Sequence, residues 1–267
     1  MRSVLKKELV KEWTLEKLLE GRDFNDISGR IFHVADVNME AKKLNPLRED
    51  SSDAIGCVEY TPNSACDLRI FIDLELYKNI EKTTYKQTGD KVIKRSICDR
   101  LWYVETLAHE CIHYFELVNL YKVLCNGICY ENDDIRLMRQ FSEYSAKKAG
   151  YKFYFMALDN FNAFDLDYIN SVLDNCVKFY ESLQNQRLRR PIFLYHQIRL
   201  LATISAWKEY YNDERAERAL LPFFGDVSVK DDILNCLSVD LEKISKKEVL
   251  TLGDRFLRIL NNSTMFR

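Results

Sequence analysis

The chain has 267 residues, of which 47% are hydrophobic, enough to fill a sizeable core; only four prolines and eight glycines argue for a mainly helical protein and against a large all-β one. A formal net charge of -2 gives no global electrostatic reason to bind nucleic acid or an anionic membrane. The opening MRSVLKKELVKEW lacks the apolar stretch of a signal peptide, no later run approaches a membrane span, and the eight cysteines form no compact framework, so the expectation is a cytoplasmic protein with free thiols.

Residues 4 to 20 carry Val4, Leu5, Leu9, Val10, Trp13, Leu15, Leu18 and Leu19 at near-helical spacing, with Gly21 as a stop. RIFHVADVN (30–38) and AIGCVEY (54–60) read as short strands. DLRIFIDLELY (67–77) reads as the clearest one, because Leu68, Ile70, Ile72 and Leu74 alternate with Arg69, Phe71, Asp73 and Glu75. A lysine-rich stretch follows, expected as an exposed loop with a hairpin at Thr88-Gly89-Asp90.

From Ile97 to about Leu120 the apolar period is helical, and Asn126-Gly127 breaks it. A second long helix is expected behind Asp133 and Asp134 as caps, with Gly150 as a point of interruption. Beyond Asn160, further helices are expected near 165–186, 192–211, 229–237 and 240–261, separated by Arg190-Pro191, Leu221-Pro222 and Gly225.

The stretch TLAHECIHYFE (106–116) holds two of the four histidines. Residues four apart on a helix stack one turn above another, so His109 and His113 can converge on one ion at roughly 2.0–2.1 Å. Glu110 lies about 100° around the helix, beside such an ion rather than on it, where a general base belongs. A catalytic zinc needs a third protein ligand. Glu143, thirty residues after His113, is read as that ligand rather than as a solvent-facing glutamate, because Ser142, Ala146 and Ala149 form a small-residue stripe that lets its helix approach closely.

With these residues in place the chain resembles the gluzincin clan of zinc metallopeptidases, which carry His-Glu-x-x-His on one helix and a glutamate ligand on a later one. Thr106, Leu107, Ala108, His109 and Glu110, with Glu143 followed downstream by Ala146, look most like the ImmA/IrrE group of small intracellular peptidases. Cys111 and Ile112 stand where that group has an aliphatic-glycine pair, and no helix-turn-helix module is evident. The resemblance covers roughly residues 54 to 155. It implies an α+β, mainly helical fold: a zincin-like core over 1–160, with a small N-terminal sheet on the active-site helix, and a helical C-terminal lobe over 161–267. It implies Zn2+ held by His109, His113 and Glu143, with Glu110 as base and later proton donor. It further implies that the strand near 67–74 is the sheet edge along which a peptide or protein substrate pairs.

The alternative is a non-catalytic zincin-fold interaction protein with a structural or absent zinc, motivated by Cys111-Ile112 and by an aromatic helical half that could face a protein partner. Glu105 and Glu116, at i-4 and i+3 from the histidine pair, either accept the second imidazole protons or sit as solvated charges at the helix margin. Tyr195 and His196 could aim a donor at an oxyanion but read better as residues packed on a core helix. His33 is given no role. Cys125 and Cys129 in CNGIC read as loop thiols without metal, and RLRR (187–190) as a solvated helix end suited to a C-terminal dipole rather than a nucleic-acid contact.

Overall fold

The computed structural model describes residues 6–22, 27–48, 54–81, 85–88, 91–160, 166–184, 186 and 188–263, with the backbone alone at 85–88, 91–98 and 166–168. The fold is α+β and mainly helical, with a small mixed sheet near the N-terminus. Helix α1 (Lys7–Leu19) buries Val10, Leu15 and Leu18, the stripe its sequence spacing predicts.

Strand β1 (Ile31–Val34) is shorter than expected, because Asp36 accepts a hydrogen bond from the Met39 amide and opens helix α2 (Val37–Leu44). Strand β2 (Gly56–Tyr60) lies antiparallel to β3 (Leu68–Asp73), with Gly56 opposite Ile72 and Tyr60 opposite Leu68. β1 runs parallel to β3 on its other side, giving the order β1-β3-β2. β3 is therefore the central strand and not the sheet edge; the edges are β1 and β2. Its alternation is also less one-sided than the sequence suggests. Leu68, Ile70 and Ile72 join the main core, while Phe71 packs with Val37, Ala41 and Cys57 beneath α2, so the strand is buried on both faces.

The strand expected to reach Tyr77 stops at Asp73, whose carboxylate takes the Leu76 amide at 2.8 Å and caps α3 (Leu74–Asn79). Strands β4 (Tyr85–Thr88) and β5 (Lys91–Lys94) form the anticipated hairpin, with Thr88 opposite Lys91; its two connecting residues lie outside the described residues.

Helix α4 (Arg95–Cys125) spans 31 residues, roughly 46 Å at the α-helical rise. It ends where the sequence places the break: Asn126 and Gly127 take positive φ of 53° and 82°, and the Gly127 amide reaches back to the Tyr121 carbonyl at 2.9 Å. Helix α5 (Asp133–Asn160) is capped by Asn132, which accepts from the Ile135 amide at 2.8 Å, rather than by Asp133 or Asp134. Gly150 does not interrupt α5. A Cβ there would sit 3.1 Å from the Glu105 carbonyl oxygen, so the glycine allows α5 to press against α4.

The second half is helical: α6 (Leu166–Gln184), α7 (Arg190–Tyr211), α8 (Arg215–Leu220), α9 (Lys230–Leu237) and α10 (Lys246–Asn262). Pro191 lies in the first turn of α7, where its missing N–H leaves no bond unmade, rather than between helices. Arg189 and Arg190 are exposed, but they open α7 instead of closing a helix. The sequence did not single out α8, and α10 starts behind a reciprocal Ser245–Glu248 capping box, not at 240. This half packs directly on α5: Tyr144 donates to the Ser205 hydroxyl at 2.9 Å, and the rings of Phe155 and Trp207, and of Phe141 and Phe256, meet at 5.5 and 4.8 Å. Among the described residues no helix is long and apolar enough to cross a membrane.

Candidate metal centre

The two histidines fall on the face of α4 turned toward α5. Their Nε2 atoms lie 3.0 Å apart, and Glu143 Oε2 stands 3.7 Å from His109 Nε2 and 3.4 Å from His113 Nε2. Donors around one tetrahedral ion at about 2.0–2.1 Å are separated by roughly 3.3–3.4 Å, so these three spacings bracket the value a single small cation requires. Among the described residues, this is the group of His, Cys, Asp and Glu side chains that could hold a metal ion. The set of two imidazoles and one carboxylate suits zinc, though other divalent transition ions accept it too.

The electrostatics fit a cation. Burial pushes His109 well below the usual imidazole range, against the pull of Glu143, and so leaves a lone pair free. Burial also opposes charge on His113, but Glu143, Glu110 and Glu116 outweigh it and raise its pKa. Burial alone would raise Glu143; His109, His113 and Arg199 reverse this and bring it down to about 2, leaving a carboxylate that stays ionised.

The ligands are supported from behind. Ser142, on the expected small-residue stripe, meets His113 Nδ1 at 2.7 Å, and Glu116 takes the Ser145 hydroxyl at 2.5 Å. Glu116 is thus buried rather than solvated and is not a direct acceptor for His113; its nearby charge helps raise the His113 pKa, and burial pushes its own up to about 7. Glu105 does neither of the expected things: it forms a buried ion pair with Lys147 at 2.5 Å. His109 Nδ1 is buried without a hydrogen-bond partner.

Glu110, still within electrostatic reach of His113 and Glu143, lies against the sheet. Gly56 of β2 lies against it so closely that a Cβ would stand 3.0 and 3.1 Å from Glu110 Cγ and Oε1, and 2.7 Å from Thr106 Cγ2. Burial, with Glu143 and Glu105 adding to it against His113, raises Glu110 to about 7. The two residues that depart from the usual peptidase pattern, Cys111 and Ile112, are buried in the hydrophobic core and are not part of the donor cluster.

Tyr195 and His196 sit on α7. The Tyr195 hydroxyl accepts from Arg199, and burial, with the nearby Glu143 adding to it, raises its pKa, so it borders the cluster. His196 packs against Phe179 and Tyr195, with its Nδ1 buried and unpartnered, and stays outside the ligand set. His33 stacks on Tyr77 at 3.9 Å and meets the Tyr103 hydroxyl at 3.0 Å, between sheet and α4. Cys125 and Cys129 are buried at the turn joining α4 to α5. The sequence reading missed Arg199, whose Nε lies 3.3 Å from Glu143 Oε1. Its signal was the i, i+4 spacing from Tyr195, which puts both on one face of α7. No protein-family model, curated protein or solved structure matches the chain.

Proposed function

We propose that the chain is a zinc-dependent metallopeptidase of gluzincin type, in which His109, His113 and Glu143 hold the metal and Glu110 is the general base. The observation that carries this reading is the convergence of the three donor atoms with the spacing of a single ion, beside a glutamate that is not one of them. Zinc held there supplies a Lewis acid that polarises a peptide carbonyl and makes a water molecule more acidic. Glu110 takes the proton of the attacking water and returns it to the departing amine. The burial of Glu110, which disfavours the charged form, suits a carboxylate that must hold a proton between the two steps. Ser142 fixes the His113 ring, and the glycine at 56 leaves room for the base.

Because β3 is central, the peptide-pairing edge of this reading moves to β2, whose Gly56 end lies beside Glu110 and which pairs only with β3 among the described residues. An extended substrate would add there as a strand through main-chain hydrogen bonds. The substrate class is an intracellular peptide or protein.

The test is metal content by mass spectrometry together with cleavage of a peptide library. The wild type should carry about one zinc per chain. Glu110→Gln should keep the metal and lose turnover by about 10²–10⁴-fold, while Glu143→Ala should lose the metal. Substantial cleavage by the Gln variant would remove Glu110 as base, and absence of zinc even after titration would remove the centre itself.

A further inference from the structure

The two carboxylate oxygens of Glu143 have different neighbours. Oε2 faces the imidazoles at 3.4 and 3.7 Å. Oε1 faces α7, where Arg199 Nε stands 3.3 Å away as an ion-pair partner without hydrogen-bond geometry, so this buried oxygen has a neighbouring cation and, among the described residues, no other donor. The guanidinium is itself aimed: its Nη1 donates to the Tyr195 hydroxyl one turn earlier on the same helix. Lys147, one turn from Glu143 on α5, does not serve this purpose, because Glu105 engages it at 2.5 Å and its ammonium lies 4.5 Å from the Tyr151 ring centre.

A carboxylate can bind a cation through one oxygen or chelate it through both. A catalytic zinc has three protein ligands and one position open to water or substrate, and chelation by the third ligand raises the coordination number to five and crowds that position. A guanidinium, permanently charged and planar, is the side chain best suited to occupy one oxygen of a carboxylate. We propose that Arg199 is a positioning residue that restricts Glu143 to one-oxygen coordination: it takes Oε1, leaves Oε2 to the metal and so keeps a coordination position open. This rests on the reading of His109, His113 and Glu143 as the metal centre. It gives α7 a part in the site that the ligand motif alone does not contain.

The test uses the full chain loaded with cobalt(II), whose visible absorption reports coordination number, in the wild type, Arg199→Gln and Arg199→Lys. With Oε1 released, Arg199→Gln should gain the second oxygen as a ligand, and its d–d absorption per cobalt should fall about twofold. Arg199→Lys, which keeps one charged donor for Oε1, should restore the wild-type spectrum. A merely structural salt bridge would lower the melting temperature of both variants and leave the spectrum unchanged. An unchanged Arg199→Gln spectrum at full cobalt occupancy overturns the proposal while leaving the metal centre standing. Failure of the wild type to take up cobalt overturns both. If Arg199→Gln loses its helical circular dichroism, Tyr195→Phe replaces it: removing the acceptor that aims the guanidinium should shift the spectrum the same way, and no shift overturns the proposal.

Discussion

At Gly56 one missing methyl group decides whether a glutamate fits between a strand and a helix. A Cβ at this position would approach Thr106 Cγ2 to 2.7 Å and Glu110 Oε1 to 3.1 Å. Gly56→Ala should therefore push Glu110 from its place while the donor triad, none of whose atoms is among the three nearest to the added Cβ, stays intact. The expected outcome is a loss of about 1–3 kcal/mol in urea unfolding, a fall in kcat, and unchanged zinc content. Loss of metal with retained turnover would contradict this placement. At this scale the sequence was informative where chemistry lies close along the chain: His109, Glu110 and His113 share one helix, and their spacing fixes their directions. It was silent on Arg199, whose partner is 56 residues earlier (199 − 143) and on another helix, a pairing no local period encodes.

Between elements, the pairing of α4 with α5 depends on small and on charged residues together. Gly150 and Ser142 let the helices approach, and Lys147 with Glu105 then forms an ion pair whose side chains are only 8% and 5% exposed. Lys147→Met should leave Glu105 as an uncompensated buried charge and destabilise the fold by about 3–5 kcal/mol in urea unfolding. Glu105→Gln in that background should recover part of the loss, and simple additivity of the two changes would show that the pair is not coupled. The long helices were legible because each repeats its apolar period over many turns. Helices α2 and α3 were not. Leu74 and Glu75 continue the alternation of β3, so only the capping bonds of Asp36 and Asp73 reveal that the chain has turned into a helix.

For the molecule as a whole, His33 links stability to pH. Burial, with Lys11 and Lys7 adding to it, lowers its pKa from the usual 6.5 to about 4. The native state then binds fewer protons than the unfolded state between these values, so this group's stabilisation is complete above pH 6.5 and is lost as pH falls toward 4. After allowance for its partly exposed ring, the loss amounts to about 1–2 kcal/mol. His33→Gln should flatten the fall in melting temperature between pH 6.5 and 4 relative to the wild type; equal slopes would remove His33 as the cause. The fold class was readable from composition and period, but the strand order was not. The alternation of Arg69, Phe71 and Asp73 looks like a solvent face, yet Phe71 lies beneath α2, a fact that depends on a helix hidden in the sequence.

The short turn at Asn126-Gly127 also bears on the order in which the site is built during folding. His109 and His113 lie on α4 and Glu143 on the helix immediately after it, so the triad closes through one small loop with little entropic cost. Arg199 must wait for α6 and α7 to form and dock. On a growing chain the three donor side chains can therefore meet before Arg199 is present, so the contact of α7 with Glu143 is the later one to form.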